Sequence, residues 1–168
     1  EGWDPTTVKI RSNKKVSWRC PLGHLYIASI DKRTTGSGCP ICDGKIGLSG
    51  FNDLATTNPE VLMFVDGWDP TTLSAGSSRK VGWKCELGHE WKASIASRTR
   101  GNGCPVCSGH KVLVGFNDLA TTHPDIAKEA DGWDPSEIIA GGARKVNWRC
   151  AKGHRYTNTI SSRKSGTG

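Results

Sequence analysis

Long hydrophobic runs are missing from this 168-residue chain. No apolar stretch approaches the ~20 residues that a membrane-spanning helix needs. Large apolar side chains are scarce as well. With 35% hydrophobic residues, one Met, two Tyr, three Phe and a mean hydropathy of −0.47, one sizeable core is out of reach, and several small ones are expected. A Gly-rich nucleotide loop, a nucleophile elbow and a paired-carboxylate constellation are all lacking, so the expectation is a protein that is not an enzyme and takes no small-molecule substrate. No export signal is visible at Glu1, and the seven cysteines are an odd number. Together these argue against a disulfide framework and for a cytoplasmic or other reducing compartment.

What the chain does have is a repeat. Cys20, Cys85 and Cys150 stand 65 residues apart, each followed four positions later by His24, His89 and His154. Cys39 and Cys42 recur as Cys104 and Cys107. Each full unit reads C-x3-H-x14-C-x2-C, four ligands of the type and number that a structural zinc site takes. Residues 2–66 align without gaps on 67–131 with 36 identities in 65 positions, which marks an array of modules. The expected domains are two zinc repeats with connector helices, 2–66 and 67–131, and a truncated third, 132–168, holding the half site Cys150 and His154. Gly168 matches Gly38 and Gly103, so the third Cys-x2-Cys would begin one residue later, as expected of a slice from a longer array. A second ligand register, Cys39 and Cys42 with Cys85 and His89, is also open. It closes 42 residues rather than 14, at an extra cost of about 1 kcal/mol in chain entropy.

Around the ligands, apolar residues alternate. Val16, Trp18 and Cys20 fall on one face, and Tyr26, Ala28 and Ile30 resume the pattern after His24. This predicts a hairpin with the first two ligands at its tip and a knuckle turn at Cys39–Gly44 for the other two. Asn58 as N-cap, Pro59 and Glu60 predict a connector helix, with His123-Pro124-Asp125 in the same slots one repeat on. The segment from Ser161 is expected to be loose. Trp3, Trp68 and Trp133 are expected to pack against their own modules.

The string Val81-Gly82-Trp83-Lys84-Cys85-Glu86-Leu87-Gly88-His89-Glu90-Trp91, with Arg98 and Gly103-Cys104-Pro105-Val106-Cys107, resembles the probable zinc-ribbon or treble-clef zinc-finger repeat family. The resemblance covers the whole chain. It implies small metal-stabilised α+β modules, built as tandem treble-clef or zinc-ribbon repeats in two and a half copies. It also implies zinc at Cys20, His24, Cys39 and Cys42 and at Cys85, His89, Cys104 and Cys107, and a role in nucleic-acid binding.

Charge points the same way. The net charge is +7, and the cations are segregated: seven Lys or Arg between 144 and 168 face no acid, while the connector 51–78 has four acids and no base. Lys15, Lys80 and Lys145 with Arg19, Lys84 and Arg149 fall opposite the Trp face, a row suited to a phosphate backbone. Arg33, Arg98 and Arg163 are Arg in every copy, fit either to clamp phosphate or to bond carbonyls of the next turn. The leading expectation is therefore a nucleic-acid-binding zinc array, with DNA ahead of RNA. A protein-interaction scaffold is the alternative. A treble-clef nuclease using His110 or His123 as base is the third, weakened because the first copy has Lys45 and Asn58 there.

Overall fold

The computed structural model describes residues 2–167, which divide along the chain between Asn102 and Gly103 into two compact units. Three antiparallel hairpins recur: β1 Lys15–Arg19 with β2 Leu25–Ser29, β3 Lys80–Lys84 with β4 Glu90–Ser94, and β5 Lys145–Arg149 with β6 Arg155–Thr159. The period-2 pattern decides which face is covered. Val16, Val81 and Val146 are buried, and the tryptophan two positions on pairs across the ladder with an aromatic residue: Trp18 with Tyr26, Trp83 with Trp91, Trp148 with Tyr156.

Each hairpin runs directly into a one-turn helix: α1 Ile30–Thr34, α3 Ile95–Thr99 and α6 Ile160–Lys164. The alternating pattern carried the strand through Ile30 and Ile95, but both residues open helices. The reason is the cap: Ser29, Ser94 and Thr159 accept hydrogen bonds from the amides of Lys32, Ser97 and Ser162, turning the chain out of the strand. The isoleucine that follows is then driven into the core, with Ile95 and Ile160 fully buried. Helix α6 also occupies the segment expected to be loose, as far as Lys164; Gly168 lies outside the described residues.

The connector holds two short helical turns. In the first unit α2 Leu54–Thr57 precedes a 3-10 turn at Pro59–Phe64; in the second, α4 Leu119–Thr122 precedes α5 Pro124–Ala127. Asn58 is not the side-chain cap that the sequence suggested, since its Nδ2 donates to Glu60 Oε1 at 3.0 Å and it makes no cap bond. The cap is Asp53, one turn earlier. Its carboxylate accepts from the Thr56 amide at 3.0 Å, the Thr56 hydroxyl at 2.7 Å and the Gly50 amide at 2.7 Å. Asp118 repeats this with Thr121 and Gly115. Both carboxylates are buried and held below the usual Asp range. For Asp53 the Thr56 hydroxyl bond leads; for Asp118 the loss of hydration opposes the shift and the bonds to Thr121 and Gly115 outweigh it.

Each connector packs on the hairpin that follows it. Leu54 and Val61 join Val81, Trp83 and Ile95 in one core; Leu119 joins Ala140, Val146, Trp148 and Ile160 in another. Val65 and Ala130 bridge to Trp83 and Trp148 along the free edge of the hairpin. Trp68 stands edge-on to Trp83 at 5.4 Å and donates its indole N–H to the Gly82 carbonyl at 2.8 Å; Trp133 does the same with Trp148 and Asn147. The first hairpin has its own small core of Tyr26, Cys39 and Ile41, with Trp18, Cys20 and Ala28 packed on it. Among the described residues no helix is long and apolar enough to cross a membrane.

Candidate metal centre

The tip of each hairpin is a tight turn closed by its own backbone. In the first, the Cys20 amide donates to the His24 carbonyl at 3.1 Å and the Gly23 amide to the Cys20 carbonyl at 2.9 Å. Gly23 must be glycine-like here, because its φ is +85°, as are Gly88 at +81° and Gly153 at +84° in the other copies. This turn aims Cys20 Sγ and His24 Nδ1 to the same side. The second pair sits on a knuckle in which the Asp43 amide donates to Cys39 O at 2.9 Å and the Lys45 amide to Pro40 O at 2.8 Å.

Together the two turns bring Cys20, His24, Cys39 and Cys42 into one group, with all four ligand atoms within 4.8 Å of one another. Cys20 Sγ lies 3.8 Å from Cys42 Sγ, and His24 Nδ1 lies 3.3 Å from Cys42 Sγ and 3.9 Å from Cys39 Sγ. A zinc tetrahedron with Zn–S of about 2.3 Å and Zn–N of about 2.0–2.1 Å has edges of about 3.8 Å between sulfurs and about 3.6 Å between sulfur and nitrogen. The observed spacings match those edges, so the residues fit the ion. Cys39 is buried and Cys42 exposed, which leaves the centre open on one side. Lost hydration, and then the neighbouring Cys39 and Cys20 thiols, push the Cys42 thiol up to about 11. Cys20, His24, Cys39 and Cys42 would hold a dication here, and its charge would favour the thiolate form of the cysteines.

The second repeat builds the same parts. Cys85 Sγ is 3.5 Å from His89 Nδ1, and the Cys104 knuckle has the same backbone bonds, Ser108 N to Cys104 O at 3.0 Å and His110 N to Pro105 O at 2.8 Å. Cys85, His89, Cys104 and Cys107 form the second Cys3His set. Both sets follow the short register within a repeat. In the third copy the turn at Cys150 and His154 forms with the same bonds, Cys150 N to His154 O at 3.0 Å, but among the described residues it belongs to no complete set.

A family model described as "Probable Treble clef zinc finger domain" matches residues 1–45, 66–110 and 126–168. The chain belongs to this family. Comparison with curated proteins gave no match. The treble clef repeats thus carry two Cys3His zinc-binding sets and a third, incomplete one.

The knuckle of each treble clef set is held by a residue that the cysteine pattern does not reveal. Asn117 donates to the carbonyls of Val106, at 2.9 Å, and Lys111, at 2.9 Å, and accepts from the Leu113 amide at 2.7 Å. Asn52 makes the same three bonds to Ile41, Ile46 and Leu48. The signal was present, since Phe-Asn-Asp-Leu-Ala-Thr-Thr is unchanged between copies, but an Asn in a loop reads as a turn residue.

The basic residues separate into two groups. Lys15, Arg19, Lys80, Lys84, Lys145 and Arg149 are all exposed, on the hairpin face away from the buried Val and Trp. Lys84 pairs with Glu90 at 3.1 Å, and Arg149 and Arg155 both reach Asp131, at 3.5 and 3.0 Å. The three arginines lie elsewhere, against the core. Arg33 and Arg98 donate to the carbonyls of Ser37 and Asn102 in the following turn, and Arg163 pairs with Glu129. His110 is exposed and His123 half-buried, and they are bonded to the Ser108 and Thr122 hydroxyls.

Proposed function

We propose that the chain is a non-catalytic zinc array that binds nucleic acid, DNA ahead of RNA, through the open faces of its hairpins, in the cytoplasm or another reducing compartment. The observation that carries this reading is the recurrence of one exposed cation pair at one register in every hairpin: Lys15 and Arg19, Lys80 and Lys84, Lys145 and Arg149. Pairing of Lys84 and Arg149 with nearby acids does not remove them from use. Exposed ion pairs contribute little and exchange readily for phosphate. The Arg33, Arg98 and Arg163 side chains are spent on the fold and leave the strand cations to do the binding. His110 and His123 serve as turn and cap residues in this reading, with no role as base.

The reading is tested by titrating the zinc-loaded chain into labelled duplex DNA, single-stranded DNA and RNA across a salt series. If four to six phosphates are neutralised on a duplex, log K falls with log salt at a slope of roughly −4 to −5. No binding at low salt to any of the three would defeat it. The protein-scaffold alternative draws on one observation: Leu22, Leu25 and Ile27 of the first hairpin are 66%, 55% and 70% exposed, side by side at its tip and open face.

A further inference from the structure

The three hairpins are not equally covered, and the difference lies at their tryptophans. Trp83 and Trp148 are fully buried, whereas Trp18 is only partly buried. What buries the first two is the connector preceding each hairpin in the chain. The connector supplies a leucine, Leu54 or Leu119, whose amide bonds the carbonyl of Leu73 at 2.8 Å or Ile138 at 2.7 Å. It then lays a residue five positions beyond its proline over the arginine of the helix after the hairpin. That residue is Phe64 over Arg98, with the guanidinium 4.4 Å from the ring, and Glu129 against Arg163, through bonds of 2.9 and 2.8 Å. The corresponding surface of the first hairpin is Val8, Ile10, Trp18 and Arg33. Ile10 is 78% exposed where its counterpart Ala140 is 6% exposed. Arg33 rests on Trp18 at 5.4 Å, and its buried Nε has no hydrogen-bond partner, as is true also of Arg98 Nε beneath Phe64.

The aromatic residue beside each arginine tells which kind of connector fits. Tyr156 donates its hydroxyl to Glu129 Oε2 at 3.2 Å, so the carboxylate is shared between Tyr156 and Arg163. In the second copy the tyrosine is Trp91, and the residue over Arg98 is Phe64 rather than an acid. The first hairpin has Tyr26 with Arg33, the donor set that holds a carboxylate in the third. We infer that the face formed by Val8, Ile10, Trp18 and Arg33, with the buried Tyr26 beside Arg33, is a docking surface for a further connector segment of this repeat type, one carrying an acidic residue five positions after its proline. The surface makes the array extensible head to tail, each zinc module receiving the connector of another. This does not depend on the nucleic-acid reading.

The test fuses a copy of residues 116–131 directly ahead of Gly2, the spacing that these residues have from Gly132. Trp18 is followed by fluorotryptophan NMR, assigned with Trp18→Phe, and the β1 amides by hydrogen exchange in the zinc-loaded chain. The expected result is a Trp18 resonance that loses its solvent-isotope shift and β1 amides that exchange at least tenfold more slowly. Glu129→Ala within the fused copy, or Arg33→Ala in the hairpin, reduces that protection several-fold, whereas a fused copy of residues 51–66, with phenylalanine in place of the acid, protects less than the 116–131 copy. The inference is overturned if Trp18 and the β1 amides are unchanged by the fusion. It is equally overturned if a scrambled 16-residue segment protects as well, or if Glu129→Ala in the fused copy has no effect.

Discussion

Arg163 and Glu129 form a two-pronged ion pair, Nε to Oε2 at 2.9 Å and Nη2 to Oε1 at 2.8 Å, with only 21% and 22% of their side chains exposed. The pair ties helix α6 to the end of the connector, and Tyr156 adds a third bond to the same carboxylate. This is why an arginine rather than a lysine stands there: only a planar fork reaches both oxygens at once. The Glu129 bonds also hold the Arg163 guanidinium above its usual pKa.

Removing the carboxylate should cost more than removing an exposed pair. Glu129→Ala leaves a largely buried guanidinium and a tyrosine hydroxyl without their acceptor, and should destabilise the zinc-loaded chain by about 2–3 kcal/mol. Glu129→Phe, which copies the arrangement of Phe64 over Arg98, should cost less, about 1 kcal/mol. Denaturant unfolding of the two variants checks both. Equal losses would show that the ring cannot replace the carboxylate in this copy.

Zinc content should be two per chain. Cys85→Ser should lower it to one and unfold the second module, because metal binding and folding are coupled in cores this small. Cys150→Ser should leave it at two, since Cys150 and His154 belong to no complete set among the described residues. Elemental analysis with X-ray absorption, reading Zn–S near ~2.3 Å and Zn–N near ~2.0–2.1 Å, measures this directly.

The ligand sets were legible because their chemistry demands particular residues at fixed spacing, and Cys20, His24, Cys39 and Cys42 meet as the short register expects. The helices after β2, β4 and β6 were hidden for a physical reason. Ile30 continues the strand alternation and only the preceding Ser29, repeated as Ser94 and Thr159, betrays the cap. Asp53 was masked in the same way by the more familiar Asn-Pro signal five residues later. The direction in which a connector packs was not readable at all. Periodicity shows that Leu54 and Val61 share an apolar face, but not which neighbouring hairpin covers it. Nor did comparison between copies expose the arginine's partner, because that partner is Phe64 in one and Glu129 in the other.

Acid should weaken the fold through the two capping carboxylates. Asp53 and Asp118 are held below the ordinary Asp value by their bonds to the Thr and Gly donors. A group with a depressed folded pKa stabilises above its unfolded value, about 3.9, and that contribution is lost as pH falls through the folded value. Asp118→Asn should therefore be clearly less stable than the parent at pH 6, and the gap should narrow as the pH falls below the unfolded Asp value. A gap that stays constant with pH would mean that the cap acts through its shape alone.

The last prediction concerns what keeps a zinc knuckle closed. Asn117 bonds the carbonyl of Val106, which lies between Cys104 and Cys107, together with Lys111 O and Leu113 N. Its side chain thus fixes the turn that presents two of the four ligands, while touching no ligand atom itself. Asn117→Ala frees three backbone groups at once and lets the turn open. Groups that orient ligands from outside the coordination sphere typically affect metal affinity by about 10–100-fold, so one of the two zinc ions should leave at least tenfold faster to a chromogenic chelator. The other, held by the Asn52 turn, should keep the parent rate. Asn117→Asp, which retains an acceptor for Leu113 but cannot donate to Val106, should fall between the two. If the biphasic release does not appear, the knuckle is held by its cysteines and glycine alone, and Asn117 is an ordinary loop residue.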